Sequence, residues 1–227
     1  MPGSFYMKIQ GLQVLSVSGF VFVRWEEGTK PTHAPFQADY NGRLPGTEKM
    51  PDQSQPIIGP YFSRPAACRD YDPRSADVAR LVAALVYEHL PKAVVEHVGS
   101  TSVPGCAGKG NVDLMIAVVD GEMEKVKDVL DGLGFQGQIG RDPFPETRPM
   151  RAGSFVHDGE TFLIHVHVIP ASSPEVDDMR FFRTCLRADP ELLQAYVARK
   201  REIIASGVTD SVDYCRIKGE FIKEVLG

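Results

Sequence analysis

The sequence predicts a mixed α/β (α+β) sheet with flanking helices that gather toward the C-terminus, preceded by a strand-containing N-terminal extension. Three observations predict it. From about residue 70 onward, apolar runs of strand length alternate with segments of helical periodicity. The helical segments open on Asp-Pro, Ser-Pro or Asp-Ser, which are helix-start signals. A Pro- and Gly-rich stretch separates this region from an apolar segment near the N-terminus.

That apolar segment, residues 7–23, is interrupted by Gln10, Gly11, Gln13, Ser16, Ser18 and Gly19 and has no basic leader or small-residue cleavage site, so it reads as neither a membrane span nor a signal peptide. Phe20-Val21-Phe22-Val23 reads as a buried strand pairing with residues 12–17 across a turn near Gly19. Residues 28–65 are rich in Pro, Gly and polar residues and read as a linker or a lid. This places an extension over residues 1–60 and a domain over residues 61–227. Asp72-Pro73 then starts a helix whose apolar positions Val78, Leu81, Val82 and Leu85 recur at helical spacing until Pro91. Residues 93–98 and 111–119 are strands, 122–133 is an amphipathic helix closed by Gly134, and 153–157 pairs with 161–169 through the Asp158-Gly159 turn. Three helices follow, from Ser173-Pro174, Asp189-Pro190 and Asp210-Ser211, with Gly207 closing the middle one. Leu193, Tyr196, Val197 and Ile203 form an apolar set on it.

At 227 residues and 25.0 kDa the chain can bury a large core without disulfides. Its net charge of −5 and pI of about 5.7 argue against an extended nucleic-acid surface or an acidic-membrane partner, so any phosphate binding must be local. Cys68, Cys106, Cys185 and Cys215 form no CxxC pair, which suits a reducing, cytoplasmic location.

Residues 96–109 carry the chemistry. Gly99, Gly105 and Gly108 allow close backbone approach to a ligand, and Ser100, Thr101, Ser102 and Lys109 supply phosphate donors. A Walker A loop is excluded, because Val103 stands where its first glycine belongs and Gly110 where its Ser or Thr belongs. The block His97-Val98-Gly99-Ser100-Thr101-Ser102-Val103-Pro104-Gly105, followed by Lys109 and Asp113, resembles the hallmark of the GrpB family, part of the nucleotidyltransferase superfamily that shares the fold of DNA polymerase beta. The resemblance continues through His165-Val166-His167, Phe182-Arg183, Leu186-Arg187, Ala195-Tyr196, Lys200, Tyr214, Lys218, Phe221 and Ile222, and covers residues 61–226.

The resemblance implies a nucleotidyltransferase-like sheet with Gly99-Ser100 over nucleotide phosphates and Asp113 beside a divalent metal (Mn, Zn or Mg), with a nucleoside triphosphate as substrate. The superfamily's second carboxylate would fall at position 115, where this chain has Met115, so ordinary two-metal chemistry is in doubt. Cys106, Gly110 and Thr184-Cys185 depart from the family pattern as well.

The implied neighbourhood of Asp113 brings His165 and His167, which share one strand face, into a metal or catalytic set suited to Zn or Mn. Adjacent strand residues face opposite ways, so only one of Glu96 and His97 can face the site, and His97 is chosen as the further catalytic residue. Arg183, Lys200 and Lys218 complete a phosphate-binding patch in this scheme, with Arg148 and Arg151 as weaker candidates. The expected function is transfer of a nucleotidyl or other phosphate-bearing group to a small acceptor. A catalytically silent nucleotide- or phosphometabolite-binding protein and a metal-dependent hydrolase are the alternatives.

Overall fold

The computed structural model describes residues 6–9, 12–17, 20–25, 57–138 and 141–227. The chain divides into two compact units, Met1–Pro51 and Asp52–Gly227. In the first, β1 (Tyr6–Ile9), β2 (Leu12–Val17) and β3 (Phe20–Trp25) form an antiparallel sheet in that order, and β2 pairs β3 from Leu12↔Trp25 to Val17↔Phe20, as the sequence predicts. The turn predicted near Gly19, and the Pro-rich segment as far as residue 56, lie outside the described residues.

The end of that Pro-rich segment belongs to the second unit. Ile58 is buried in its core and donates its amide to Leu133 O at 3.2 Å, while Gly59 exchanges two 2.9 Å backbone bonds with Ser154. The division therefore falls before the 60/61 boundary that composition suggests.

The second unit is built on a five-stranded sheet. Its strands are β4 (Val94–Val98), β5 (Val112–Val118), β6 (Gln136–Gly137), β7 (Met150–His157) and β8 (Glu160–Pro170), in the order β4-β5-β8-β7-β6. β5 and β8 run parallel; the other neighbours are antiparallel. A parallel pair needs a crossover, supplied by α2 (Met123–Gly132) together with β6 and β7. Leu114, Ile116, Ile164, Val166 and Val168 face α2 and α1 (Arg74–His89), meeting Val78, Val82, Val86 and Leu130 in the main core. On the other face, Val98, Met115 and Ile169 meet Val176 of α3 (Pro174–Ala188).

The predicted helix starts are seen as caps. Asp72 Oδ1 accepts from Arg74 N at 2.9 Å. Asp189 Oδ1 accepts from Glu191 N and Leu192 N at the head of α4 (Pro190–Ala205), and Asp210 Oδ1 from Val212 N and Asp213 N at the head of α5 (Ser211–Leu226). The hairpin turns at Asp158 (φ 49°) and Gly159 (φ 75°), the paired left-handed residues that an Asp-Gly signal supplies. β7 begins at Met150 rather than 153, because Met150, Arg151 and Ala152 continue the ladder opposite His167, Val166 and His165. Arg151 is correspondingly no phosphate candidate: it is buried, with Nε on Asp131 Oδ1 at 2.7 Å.

Gly153 is a packing constraint. A Cβ there would overlap Ile58 Cγ2 and lie 3.1 Å from Phe135 Cδ1, inside the main core. Gly153→Ala should therefore lower unfolding free energy by about 1–3 kcal/mol through overpacking. Urea unfolding beside wild type measures the loss.

Candidate functional site

The parallel register sets Asp113 opposite His165 and Met115 opposite His167, so all four side chains share the α3 face of the sheet. His165 Nδ1 lies 3.2 Å and His167 Nε2 3.7 Å from Asp113 Oδ1. One ligand atom from each of the three residues falls within 4.8 Å of the others. The side chains are 24% exposed for Asp113 and 12% for each histidine, which leaves the cluster reachable but mostly dry. Burial works to raise the Asp113 pKa, yet the two imidazoles overrule it and hold the carboxyl well below the usual carboxylate range. Burial pushes the His167 pKa down, against the pull of Asp113. Met115 is fully buried beneath α3 among Val98, Ile169 and Val176 and offers nothing to the cluster.

Gly99 lies directly against this carboxylate. Its φ is 70°, and a Cβ would overlap Asp113 Oδ2 and sit 3.0 Å from Asp113 Cβ, so both conformation and space require glycine. Residues Ser100–Ser102 then form a single 3-10 turn.

Two of the predicted phosphate donors are turned inward. Thr101 Oγ1 donates to Asn111 O at 3.0 Å, and Ser102 Oγ donates to Gly99 O at 2.7 Å; both residues are buried. Lys200 is also spent. It is 0% exposed, with Nζ donating to Ala107 O, 3.2 Å from Cys106 Sγ and 3.3 Å from Ser100 Oγ, so it clamps the turn from beneath. A buried ammonium needs such partners, and moving it toward a phosphate would break all three contacts.

The choice of His97 over Glu96 is corrected by the register. β4 pairs Val98 with Asp113, His97 with Leu114 and Glu96 with Met115, so Glu96 shares the Asp113 face and His97 points to the α1 side. There His97 Nε2 lies 3.0 Å from Thr101 Oγ1, and burial lowers its pKa to about 4. It lines a largely apolar cavity of about 470 Å³ with Tyr71, Leu186, Arg187 and Leu193. Arg183 is committed to Glu96 Oε2 at 2.9 Å and His97 O at 2.6 Å, which docks α3 on β4 and removes it from the phosphate patch.

Lys109 and Lys218 flank Tyr214, and Lys109 Nζ also lies 3.7 Å from Cys215 Sγ. Their Nζ atoms lie 5.8 and 5.9 Å from the Tyr214 ring centroid, and neither has a carboxylate partner among the described residues. The Tyr196 phenol, against burial and with help from Cys215, Tyr214 and Asp113, raises the Lys218 pKa. Ser100 lines a second cavity, of about 400 Å³, with Arg64, Arg69, Gly108 and Gly110.

Sequence reasoning missed Tyr61, whose Oη lies 3.3 Å from His165 Nε2, and Asn111, whose Nδ2 lies 3.3 Å from the same atom. Arg148, a weaker phosphate candidate from sequence, instead places Nη1 3.2 Å from His167 Nδ1 and donates from Nε to Glu175 Oε2 at 2.7 Å. No periodicity marks these residues; the adjacency of Asn111 to the Asp113 strand was the one available signal.

A family profile described as GrpB protein matches residues 65–227. This chain belongs to the GrpB family. Among GrpB relatives, UPF0157 protein SCO7215 of Streptomyces coelicolor is 34% identical over 167 residues, covering 73% of this chain and 85% of the relative. A UPF0157 protein of Vibrio cholerae is 33% identical over 138 residues, or 61% and 68% of the two chains. The crystal structure of the conserved protein GrpB from Enterococcus faecalis superposes with a TM-score of 0.52 at 23% identity, over 71% of this chain and all of that one, and so shows the same fold. A more distant likeness, to Cid1 in complex with its short product ApU, has a TM-score of 0.43 at 15% identity over 59% of this chain and 42% of that one.

Two outcomes follow from the turn and its docking. Gly99→Ala should cost about 1–3 kcal/mol from left-handed strain and from contact with Asp113, read by thermal or urea unfolding. Burial raises the Glu96 pKa, but Arg180 and Arg183 overrule it and leave it lowered. Its stabilisation is therefore present above the ordinary value of about 4.3 and is lost as pH falls through the lower folded-state value. Glu96→Gln should cost about 2 kcal/mol at pH 7, and the deficit should shrink as pH is taken below about 4, measured by unfolding across pH.

Proposed function

We propose that this GrpB-family protein is a metal-assisted transferase that moves a nucleotidyl or other phosphate-bearing group to a small acceptor. The observation that carries the reading is the convergence of ionised Asp113 with His165 and His167, directly against the left-handed Gly99 turn. The donor set fits a divalent ion. Its ligand atoms lie within 4.8 Å of one another, and one hard oxygen with imidazole nitrogen suits zinc or manganese better than magnesium. Such an ion, when bound, would neutralise charge on the transferring phosphoryl oxygens.

The protein's own groups do the rest. The Gly99–Ser100 backbone approaches the phosphate, since no side chain fits at Gly99. Lys109 and Lys218, beside Tyr214 and without carboxylate partners among the described residues, supply positive charge to it. Tyr61 and Asn111 orient His165 through its Nε2. The ligand is of nucleoside triphosphate or phosphometabolite type, held locally by a chain of net charge −5 rather than by an extended basic surface. No helix among the described residues is long and apolar enough to cross a membrane, and the four cysteines are unpaired, which supports a reducing compartment such as the cytoplasm.

A silent binding protein is the second reading, favoured by Met115, which leaves Asp113 without a carboxylate neighbour two residues on in its strand.

Thermal shift and calorimetry with zinc or manganese and a nucleotide panel test the proposal. Saturating ligand at about a hundred times its dissociation constant should stabilise the fold by about 2.7 kcal/mol. Asp113→Asn should abolish the metal-dependent part, and Lys109→Gln with Lys218→Gln should weaken the nucleotide part alone. Turnover with an acceptor selects the transferase, phosphate release without one the hydrolase, and stabilisation without turnover the binding protein. No shift with any phosphate ligand, with or without metal, sinks all three.

A further inference from the structure

The two histidines beside Asp113 have outer partners of different kinds. His165 presents Nδ1 to Asp113 Oδ1 at 3.2 Å, while its Nε2 meets Tyr61 Oη and the Asn111 amide, each at 3.3 Å. The ionised Asp113 only accepts, so without metal the His165 proton sits on Nδ1; a phenol hydroxyl donates or accepts and an amide can turn either atom to its neighbour, so Tyr61 and Asn111 let that proton pass to Nε2 when a metal takes Nδ1. His167 has no such freedom. Its Nδ1 lies 3.2 Å from Arg148 Nη1, and a guanidinium has donors only. Nδ1 therefore accepts, and the proton of the neutral ring sits on Nε2, the nitrogen 3.7 Å from Asp113 Oδ1.

Arg148 is itself fixed. Nε donates to Glu175 Oε2 at 2.7 Å, Nη2 pairs with Glu175 Oε1, and the guanidinium carbon lies 4.1 Å from the Phe144 ring centroid. A histidine that ligates a metal through one nitrogen donates from the other to a carboxylate, carbonyl or water. At His167 those two demands conflict, because ligation through Nε2 would place the proton on Nδ1, facing a second donor.

We propose that Arg148 is a positioning residue that fixes His167 as an Nε2–H donor beside Asp113 and withholds it from metal ligation. Asp113 and His165 are then the protein's ligand pair, and His167 donates to Asp113 or to a ligand oxygen next to it. The assignment rests on the metal reading above and reduces its ligand set from Asp113, His165 and His167 to Asp113 and His165.

Long-range proton–nitrogen correlation spectra of protein labelled with ¹⁵N-histidine, metal-free and with zinc alone, test it. In wild type His167 should show a protonated Nε2 and an unprotonated Nδ1 in both states, while zinc should strip the proton from His165 Nδ1 and leave one on its Nε2. Arg148→Lys keeps a donor-only neighbour and should preserve the His167 pattern. Arg148→Gln offers an amide oxygen that accepts from Nδ1–H, so with zinc bound His167 should convert to the opposite tautomer and zinc binding should tighten about tenfold, read by calorimetry. Zinc bound through His167 Nε2 in wild type, or an unchanged His167 pattern and zinc affinity in Arg148→Gln, overturns the proposal. If zinc leaves His165 unchanged in every protein, the metal reading fails, and the metal-free tautomer of His167 still decides the role of Arg148. Melting curves identify a variant that does not fold; the wild-type spectra then decide alone.

Discussion

Across the parallel ladder between β5 and β8, Asp113 lies opposite His165 and Met115 opposite His167, and the candidate chemistry follows from that register. A slip of one residue would send every side chain of a strand to the other face. The alternation holds because Leu114, Ile116, Val166 and Val168 are locked into the core beneath α1 and α2. Packing on one face of the sheet thus holds the polar cluster together on the other. Gly99 adds a second constraint, since its left-handed backbone rests on the same carboxylate and leaves no room for a side chain.

The cations sort by desolvation. Where a basic side chain is buried, the fold has given it partners: Lys200 under the turn, Arg151 on Asp131, Arg148 on Glu175. Arg183 is spent in docking α3 on β4 through Glu96. These groups hold the framework, because a buried charge without a partner would cost several kcal/mol. Lys109 and Lys218, around Tyr214, have no carboxylate partner among the described residues.

Within the cluster, one carboxylate serves two imidazoles with different outer partners. Tyr61 and Asn111 leave His165 able to change tautomer, whereas Arg148 leaves His167 one state. A single carboxylate with one adaptable and one fixed imidazole differs from a carboxylate pair, and it follows from Met115 lying in the core rather than at the cluster.

Much of the fold was legible in the sequence because it is encoded locally. The caps at Asp72, Asp189 and Asp210, the Asp158-Gly159 turn and the apolar run of β5 each act within a few residues, and the structure places them where they were read. The His165-Val166-His167 alternation, with the GrpB-like block, also pointed to Asp113. Tertiary structure decided which side chains remain free to act. Alternation showed that Glu96 and His97 diverge, but only the β4–β5 register showed that Glu96 faces the Asp113 side. Thr101, Ser102, Lys200 and Arg183 all have the right chemistry for phosphate, and whether their donors are available depends on partners distant in sequence or buried within the turn. Tyr61 and Arg148 reach the histidines from segments without periodicity, across 104 and 19 positions of chain. Propensity and periodicity act over neighbouring residues, while hydrogen-bond satisfaction and burial are settled between elements, so only the assembled sheet could assign them.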